Sequence, residues 1–278
     1  MKTIGIIGQG FVGNSVNQGL KNYFNIETYD TIQEKSTVNN IDELFHKSEV
    51  IFVCLPTPMK SSGECDISIV ESVFNELNSI GNKIVILKST VPPGTCDELA
   101  KKYENLDVVF NPEFLTEANA VQDFINQDRI VLGGSSDETL SYVESLFKIA
   151  FEIVPIIKTN RKTAEMVKYV TNCFLATKVS FANNIYDICD KSDINYDEMI
   201  NIVKLDKRVG DSHWKVPGPD GDRGYGGHCF PKDMGALVYY SSNIGAYPTL
   251  IHAAIQVNNC VRKNRDWENM KGRAVSDQ

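Results

Sequence analysis

The first stretch with chemical potential lies near the start of the chain, where residues 8–13 read GQGFVG and fit the pattern G-x-G-x-x-G. The pattern follows a predicted strand and opens a predicted helix, the context in which it binds a dinucleotide. Gly8 permits the tight turn, Gly10 lets the backbone approach a pyrophosphate, and Gly13 lets helix and strand pack closely. The free N–H groups at the helix N-terminus then favour phosphate.

An acidic residue, Asp30, ends the next predicted strand. It occupies the position at which a carboxylate binds the ribose diol of a dinucleotide. A carboxylate there repels a 2′-phosphate, so NAD is favoured, while Lys35 keeps NADP as an alternative. A turn residue explains Asp30 equally well by itself, but the strand, the glycines and the acid together predict a dinucleotide-binding domain.

A second reactive stretch, at residues 226–233, reads GGHCFPKD. A cysteine nucleophile needs its thiolate, and a nearby cation or helix N-terminus lowers the pKa of a thiol from about 8.5. Lys232, and a helix predicted to start near Asp233, would supply both. From spacing alone, an ordinary loop cysteine remains the simpler interpretation of Cys229.

Two polar residues, Lys168 and Asn172, share one face of a long predicted helix because they are spaced i, i+4. An exposed Lys–Asn pair is the default interpretation. We predict no metal site, because His46, His213 and His252 lack partners at metal-ligand spacing and the cysteines form no C-x-x-C pair.

The elements that must position these residues follow from hydrophobic periodicity. Strands are predicted at residues 3–7, 26–29, 50–54, 83–87, 107–111, 129–132 and 152–157, and intervening helices at 12–20, 69–79, 94–102 and 138–149. Near-continuous apolar strands that alternate with helices indicate a parallel sheet covered on both faces. Residues 1–158 are therefore predicted to form a Rossmann-type, doubly wound α/β domain that binds NAD.

The pattern becomes helical after about residue 158, with helices predicted at 163–189, 196–204, 234–243 and 249–266. The first of them carries an apolar side made of Val167, Val170, Phe174, Phe181, Ile185 and Ile188. Residues 159–278 are predicted to form an all-helical catalytic and dimerisation domain. The charged stretch 266–278 is predicted to be disordered or to pack on a partner subunit.

Polar or proline-stiffened loops follow three successive predicted strands, reading LPTP at 55–58, STVPPGT at 89–95 and NPEFLTE at 111–117. Ligands of doubly wound sheets bind at the carboxyl ends of the strands, so these loops are predicted to line the ligand. Turn chemistry can also explain any one of them.

Composition limits the classes of protein that fit. A length of 278 residues allows two domains of about 150 residues. The net charge of −8 disfavours nucleic acid as a partner, and no apolar run reaches the roughly 18 residues of a membrane span. Seven scattered cysteines argue against a disulfide framework, predict a reducing cytoplasmic location, and are expected to be mostly buried.

Taken together, the motifs resemble the UDP-glucose/GDP-mannose dehydrogenase family of nucleotide-sugar 6-dehydrogenases. In chain order they are G-x-G-x-x-G, the P-T-P loop, K-S-T-V-P-P-G-T, N-P-E-F-L-x-E, A-E-M-V-K-Y-V-T-N-C-F-L-A and G-G-H-C-F-P-K-D. The last three are highly specific in combination. The resemblance therefore reverses the simpler interpretation of Cys229.

The resemblance implies NAD-dependent oxidation of the C6 hydroxymethyl group of a nucleotide sugar to a carboxylate in two hydride transfers. UDP-glucose, giving UDP-glucuronate, is the favoured substrate. Cys229 would trap the intermediate aldehyde as a thiohemiacetal, and water would hydrolyse the thioester left by the second oxidation.

Further roles are implied by the same resemblance. Lys168, with Asn172, would stabilise the oxyanions of the tetrahedral intermediates. Asp233 would act as a base or orient the hydrolytic water. Thr90 and Glu113 would help to hold that water.

The predicted cofactor contacts are Gly8, Gly10, Phe11, Val12, Gly13, Asp30, Lys35, Leu55, Thr57, Ser89, Thr90, Glu117 and Lys232. The predicted substrate contacts are Glu113, Phe114, Leu115, Glu117, Lys168, Asn172, Arg208, Tyr225, Gly226, Gly227 and Cys229. Arg208 matches a family arginine that reaches into the site of the neighbouring subunit, which implies a homodimer.

Three features depart from the family pattern. Ala118 stands where glycine is usual, and residues 219–223 are additional in the loop before Cys229. Family members usually continue into a second Rossmann-like domain that binds the nucleotide of the sugar. The chain is accordingly interpreted as a short form.

Several alternatives stay open. GDP-mannose or a UDP-N-acetylhexosamine is a rival substrate, because the missing domain normally recognises the base. A β-hydroxyacid dehydrogenase shares the two-part architecture and a catalytic lysine on the long helix but needs no cysteine. A non-catalytic cofactor- or sugar-nucleotide-binding protein is disfavoured by the intact Cys229, Lys168, Asn172 and Asp233.

Overall fold

A seven-stranded sheet forms the first part of the chain in a computed structural model that describes residues 1–276. The strands are β1 (Thr3–Ile7), β2 (Asn25–Tyr29), β3 (Val50–Val53), β4 (Lys83–Leu87), β5 (Leu106–Phe110), β6 (Ile130–Gly133) and β7 (Ile156–Thr159). Each strand starts within four residues of the predicted position, and the predicted start of the last strand is the least accurate.

Helices lie between the strands, and the elements that follow β7 are helical. They are α1 (Phe11–Leu20), α2 (Ile41–Lys47), α3 (Ser68–Ile80), α4 (Thr95–Lys102), α5 (Ala120–Ile125), α6 (Asp137–Ala150), α7 (Arg161–Lys191), α8 (Tyr196–Val203), α9 (Phe230–Asn243) and α10 (Thr249–Val261). The α/β domain followed by helices confirms the predicted fold class.

The sheet order is β2-β1-β3-β4-β5-β6-β7, so the chain builds outward from β1 in both directions. This is a doubly wound sheet, and its strand order reverses between β1 and β3. Ligands of such sheets bind outside the carboxyl ends of the strands at that reversal. The loop after β1 and the loop after β3 border it.

The sheet is mixed, which corrects the expectation of a parallel one. β1 to β5 pair in parallel, and β6 pairs in parallel with β7. A single antiparallel pair, Phe110 with Gly133, joins the two groups. The connection after β5 contains a short 3₁₀ turn and the six-residue α5, and the apolar pattern of a strand buried on both faces does not indicate its direction.

Side chains on the central strands alternate between two apolar cores. Ile51 and Val53 of β3 join one core with Leu44 and Phe74, while Val50 and Phe52 of the same strand join the other. Both faces of the strand are therefore buried. This explains why β3 reads as a continuous apolar run with no polar alternation.

The chain divides into two compact units. The first contains residues Met1–Thr57 and Ile67–Lys168, and the second contains Pro58–Asp66 and the chain from Tyr169 onward. The second unit has its own apolar cluster, formed by Ala182, Cys189, Tyr196, Ile200, Trp214 and Val216.

The charged tail folds onto the second unit, which corrects the expectation of disorder for residues 266–276. Trp267 and Ala274 are buried. The Met59 N–H donates to the Ala274 carbonyl at 2.8 Å, and the Ser276 N–H donates to the Met59 carbonyl at 2.9 Å. The end of this stretch, Asp277 and Gln278, and with it the end of the predicted domain 159–278, lies outside the described residues.

Three local differences from the predicted elements have physical reasons. α2, absent from the prediction, starts at an Asn-x-x-Glu signature in which the Asn40 side chain accepts from the Glu43 N–H at 2.8 Å. α5 was also missed, being too short to show periodicity. α10 ends at Val261, before the predicted residue 266, because Arg262 is extended and its side chain is buried among carboxylates.

Within residues 1–276, no helix combines the length and the apolar character that crossing a membrane would require.

Ile86 and Ile153 test the burial of the first unit with the same substitution. Ile86 is 0% exposed and Ile153 is 94% exposed. We expect Ile86→Ala to lower the free energy of unfolding by about 2–5 kcal/mol through lost burial and a residual cavity. Ile153→Ala is expected to change it by less than about 0.5 kcal/mol. Urea unfolding followed by circular dichroism measures both, and equal losses would contradict the described packing.

Candidate active site

The glycine loop after β1 has the backbone that its sequence predicts. Gly8 has φ of +88°, and a Cβ there would lie 2.4 Å from the Cys54 carbonyl oxygen. A Cβ on Gly13 would lie 1.8 Å from the Gly8 carbonyl oxygen. A Cβ on Gly10 would meet nothing within 4 Å. A side chain at Gly8 or Gly13 would therefore clash with the backbone, whereas the space beside Gly10 is open.

The start of α1 is suited to an anion. Gly10 is the N-cap residue, no side chain caps it, and the first turn carries no acidic residue. The Asp30 carboxylate accepts hydrogen bonds from the Gln9 N–H at 2.6 Å and from the Ile32 N–H at 2.9 Å. Lys35 is exposed in a short 3₁₀ helix beyond β2. The two groups predicted to bind phosphate and ribose, the start of α1 and Asp30, thus lie side by side, which fits a dinucleotide.

The loops after β3 and β4 are joined by two hydrogen bonds. The Leu55 N–H donates to Ser89 Oγ at 2.9 Å, and Thr57 Oγ1 donates to the Thr90 carbonyl at 2.7 Å. Thr57, Ser89 and Thr90 are buried. Two of the strand-end loops are therefore one rigid structure at the carboxyl edge of the sheet.

A buried ion pair joins the loop after β5 to α7. Lys168 Nζ lies 2.7 Å from Glu113 Oε1, and the two side chains are 3% and 6% exposed. Glu113 Oε2 also accepts from the Leu115 N–H at 2.7 Å. Burial would raise the pKa of Glu113, but the charges of Lys168 and of Lys88 outweigh it and lower that pKa below its usual range. Glu113 is held as a carboxylate.

Sequence reasoning did not single out Lys88. It follows β4 directly, is 3% exposed, and donates from Nζ to Asn111 Oδ1 at 2.7 Å. Burial lowers the pKa of Lys88 to about 8, while Cys54 and Glu113 partly oppose that shift. The available signal was a lysine directly after a fully apolar strand, where a charge must be paired.

The remaining residues of the loop after β5 are less buried. Phe114 is half-buried and lies under the Arg129 guanidinium, whose carbon is 4.2 Å from the ring centre. Leu115 is half-buried, and Glu117 is exposed in a short 3₁₀ turn. Phe11 and Val12, in the first turn of α1, are half-buried.

The second unit contains a buried cluster around Asp233. Asn172 Nδ2 donates to Asp233 Oδ2 at 2.6 Å, and Lys232 Nζ lies 2.6 Å from Asp233 Oδ1. Asp233 is 1% exposed. Burial would lower the pKa of Lys232, but Asp233, Cys65 and Cys229 raise it, so Lys232 stays charged. Both carboxylate oxygens of Asp233 are thus engaged by donors.

Cys229 is the residue immediately before α9, and its carbonyl accepts from the Asp233 N–H at 3.0 Å. It is half-buried, whereas Cys54, Cys65, Cys96, Cys173 and Cys189 are buried. Pro231 lies in the first turn of the helix, and Gly227 has φ of +71°. A helix N-terminus favours an anion at this position.

The loop that precedes Cys229 is fixed by α10 and the residues after it. Arg262, with its side chain 1% exposed, lies 2.6 Å from an Asp220 carboxylate oxygen and 3.3 Å from one of Asp266. Asp266 also accepts from the Gly227 N–H at 3.1 Å. Sequence reasoning missed Arg262, and an apolar helix ending in arginine gave only a weak signal.

Tyr225 and Gly226 in this loop are also closely held. Asn258 accepts from the Tyr225 N–H at 2.7 Å and donates to the Tyr225 carbonyl at 3.0 Å. A Cβ on Gly226 would lie 2.4 Å from Arg262 Nη2. These contacts fix the backbone directly after the additional residues 219–223.

Arg208 lies apart from this cluster on the surface of the second unit. Its side chain is 88% exposed and forms an ion pair with Asp206. No group of three His, Cys, Asp or Glu side chains suited to a metal ion occurs within residues 1–276.

The sheet, the glycine loop and Asp30 define a dinucleotide-binding domain of the dehydrogenase type. Two family models match the chain. The model of the UDP-glucose/GDP-mannose dehydrogenase family, NAD binding domain, matches residues 19–151, and that of its central domain matches residues 162–260. The chain belongs to the UDP-glucose/GDP-mannose dehydrogenase family.

Comparison with individual proteins supports the same family. UDP-glucose 6-dehydrogenase TuaD of Bacillus subtilis is 36% identical over 235 residues, which are 81% of this chain and 50% of that protein. A UDP-glucose dehydrogenase structure from Pyrobaculum islandicum has a TM-score of 0.82 at 25% identity, covering 94% of this chain and 68% of that chain. The chain spans about half the length of the curated relatives it matches.

A solved 3-hydroxyisobutyrate dehydrogenase from Mycobacterium tuberculosis shares the fold alone. It has a TM-score of 0.75 at 16% identity and covers 94% of this chain and 93% of that chain.

The Glu113–Lys168 pair predicts a measurable coupling. Lys168→Met leaves a buried carboxylate without its cation, so we expect a loss of about 3–5 kcal/mol in the free energy of unfolding at pH 7. The double variant Glu113→Gln/Lys168→Met removes both charges and is expected to recover part of that loss. Urea unfolding of the wild type and the variants measures the coupling.

The coupling should also depend on pH in a defined direction. Because the pKa of Glu113 is lowered from 4.5, the pair stabilises fully above that value and loses its contribution as pH falls through the lowered pKa. The difference in the free energy of unfolding between the wild type and Lys168→Met is therefore expected to become smaller at acidic pH. A double variant as unstable as the single one would contradict a specific pair.

Proposed function

We propose that this chain oxidises the C6 hydroxymethyl group of a nucleotide sugar to a carboxylate, with UDP-glucose as substrate, UDP-glucuronate as product and NAD as oxidant. The observation that carries the proposal is Cys229 at the start of α9, one helical turn before the buried Asp233 that Asn172 and Lys232 hold. The proposal is supported by the family and by relatives that are named UDP-glucose 6-dehydrogenases.

The glycine loop fits the proposed cofactor. Gly10 leaves open space beside an uncapped helix N-terminus, where the pyrophosphate would bind. Asp30 would bind the ribose diol and disfavour the 2′-phosphate of NADP. When bound, NAD accepts the electron pair released in each of the two oxidations. The predicted contacts of Leu55, Thr57, Ser89, Glu117 and Lys232 with the cofactor belong to this proposal.

Cys229 would convert an aldehyde oxidation into a thioester hydrolysis. The first oxidation removes a hydride from C6 and a proton from the hydroxyl oxygen of the primary alcohol, and leaves an aldehyde. The Cys229 thiolate then adds to the aldehyde carbon, and the carbonyl oxygen takes a proton to give a thiohemiacetal. Loss of a second hydride from C6, and of the proton on the thiohemiacetal oxygen, leaves a thioester. Water cleaves the C–S bond, releasing the carboxylate and the thiol.

Lys168 would stabilise the negative oxygen of the tetrahedral intermediates. Glu113 lies 2.7 Å away and fixes its position, and a fixed cation in a dry environment removes the cost of reorganising solvent. Thr90 and Glu113 would hold the hydrolytic water; Thr90 is buried, with its carbonyl hydrogen-bonded to Thr57, and the Glu113 side chain accepts from the Leu115 N–H.

The environment of Asp233 favours one of its two predicted roles. Its carboxylate is paired with Lys232 and accepts from Asn172. Both carboxylate oxygens are already engaged by these donors, which suits a role in holding neighbouring groups. We therefore propose that Asp233 orients Asn172 and the water, with proton removal as a minor role.

The proposal covers substrate recognition only in part. The Gly226–Gly227 turn before Cys229 is rigid, and Phe114, Leu115 and Tyr225 would contact the sugar. GDP-mannose and UDP-N-acetylhexosamines remain alternative substrates of the same chemistry. A β-hydroxyacid dehydrogenase would share the fold but would leave the thiol of Cys229 without a role, as would a non-catalytic binding protein.

NADH formation tests the proposed activity. The protein is incubated with NAD or NADP and, in turn, UDP-glucose, GDP-mannose, UDP-N-acetylglucosamine, UDP-N-acetylmannosamine and a β-hydroxyacid. We expect about two NADH per UDP-glucose and loss of steady-state turnover in Cys229→Ser, with turnover retained in Cys260→Ser, an exposed cysteine of the same unit.

Three results would reject this assignment. One is measurable NAD binding with no NADH from any nucleotide sugar. Another is a stoichiometry of one NADH per sugar, which would indicate an alcohol dehydrogenase without thioester chemistry. The third is wild-type turnover in Cys229→Ser.

We propose that the active protein is a homodimer formed through α7. Val170, Phe174, Phe181 and Ile188 are each more than half exposed on this helix. The last three follow one another at about two-turn intervals and so form one apolar stripe. A large exposed apolar stripe on a folded unit is typical of an interface. The exposed Arg208 would then reach the neighbouring site, as the family resemblance implies.

The dimer is tested by the double substitution Phe174→Glu/Phe181→Glu, which places two charges in the stripe. We expect a dimer for the wild type and a monomer for the variant in sedimentation equilibrium at micromolar concentration. Tyr247→Glu, at a position 92% exposed in the same unit, is the control and should remain dimeric. A monomeric wild type, or a variant that still dimerises, would reject this interface.

The cysteine content supports the proposed cytoplasmic location. Five of the seven cysteines are buried as small apolar side chains, which is typical of proteins kept in a reducing compartment.

A further inference from the structure

Glu165 holds the far end of the loop that contains Thr90. The loop runs from Ser89, after β4, to Gly94, before α4. Its first part is fixed by Leu55 and Thr57, as described above. At its end, the Glu165 carboxylate accepts from the Gly94 N–H at 2.5 Å and from the Cys96 N–H at 2.7 Å. One carboxylate on α7 therefore closes the loop onto the start of α4.

Gly94 gives these two N–H groups their direction. It has φ of +101°, in the left-handed region, and it precedes the first residue of α4. A helix start leaves its first N–H groups without partners inside the helix. α4 has no side-chain cap from its own N-cap residue. Glu165, distant in sequence, takes that role.

Burying the Glu165 carboxylate costs free energy that its hydrogen-bond donors must offset. Glu165 is 0% exposed, and a buried carboxylate needs donors to offset the loss of water. The titratable groups that face the Glu165 carboxylate are Cys96 and Asp97 of α4. Arg161, on the same helix as Glu165, opposes the rise in the pKa of Cys96. None of these gives Glu165 a direct ion pair. Two backbone N–H groups and the positive end of α4 stabilise its charge instead.

Glu165 also lies one turn before Lys168 on α7. A single turn of helix thus contacts two of the strand-end loops: Glu165 fixes the loop after β4, and Lys168 pairs with Glu113 in the loop after β5. We propose that Glu165 is a positioning residue that keeps Thr90 at a fixed distance from Lys168, in the reaction proposed above. The inference rests on that proposed function.

The contact has a pH dependence of known direction. Burial raises the pKa of Glu165 to about 7, although the N–H groups of Cys96 and Gly94 oppose the shift. The two charge-assisted hydrogen bonds of the ionised form offset only part of the cost of burying its charge, since the net shift of the pKa is upward. Protonation of Glu165 below about pH 7 therefore favours the closed loop, and ionisation above that pH weakens it. The loop is expected to become more mobile as pH rises through about 7.

The first test is a nitrogen–proton NMR titration of the wild-type protein without cofactor or substrate. We expect the amide signals of Gly94 and Cys96 to shift with a common midpoint near pH 7 and those signals to be insensitive to pH in Glu165→Gln. Amides that do not titrate between about pH 5.5 and 8.5, a window around the raised pKa, would overturn the proposal. This readout needs no activity, so it stands apart from the proposed reaction.

The second test is the pH profile of kcat. Glu165→Gln keeps only one of the two acceptor oxygens, so we expect kcat to fall about tenfold and the inflection of the profile near pH 7 to disappear. Ser136→Ala is the matched control, because it removes another helix cap in the same unit, the hydrogen bond from the Thr139 N–H at 3.2 Å. It should keep the wild-type profile.

The outcomes separate the two proposals. A wild-type kcat and profile in Glu165→Gln would overturn the positioning role. A wild-type protein that forms no NADH from any nucleotide sugar would reject the proposed function, while the amide titration would still decide whether Glu165 holds the loop. If Glu165→Gln does not fold, the wild-type titration decides alone.

Discussion

The need to pair buried charges constrains this structure more than any other requirement. Lys88, Glu113, Glu165 and Lys168 are all buried in the first unit, where an isolated charge is expensive. Each is placed so that a neighbouring group offsets the loss of water: an ion pair, a side-chain amide or the start of a helix. The loops that carry these residues have little freedom to move without exposing or separating charges. The rigidity of the carboxyl edge of the sheet thus follows from electrostatics as well as packing.

The second unit solves the same problem around Asp233 and Arg262. One is a buried carboxylate with two donors, and the other is a buried guanidinium that faces several carboxylates. Four residues before Asp233 lies Cys229, the only half-buried cysteine within residues 1–276. A thiol on a rigid support needs no large rearrangement to reach its substrate, which suits the covalent role proposed for Cys229.

Local features were predictable from the sequence, and partners distant in sequence were not. The glycine loop and Asp30 could be identified because their roles depend on a strand, a turn and a helix that are contiguous in the chain. The pairing of Glu113 with Lys168 could not, because the two are 55 positions apart and their meeting depends on the sheet. The direction of β6 also escaped prediction, since a strand buried on both faces has the same pattern in either direction. Glu165 was hidden inside a helical motif, where a carboxylate normally faces solvent.

The contact between Met59 and Ala274 has a consequence for synthesis on the ribosome. Ser276 and Asp66, which join the same small structure, are 210 positions apart in sequence. The segment Pro58–Asp66 therefore leaves the ribosome long before residues 274–276 exist, while the strands that precede and follow it in sequence can already begin to pair. During that interval the N–H and carbonyl of Met59, which pair with Ala274 and Ser276 in the folded chain, must hydrogen-bond to water. Shortening the chain before residue 274 would make that temporary state permanent.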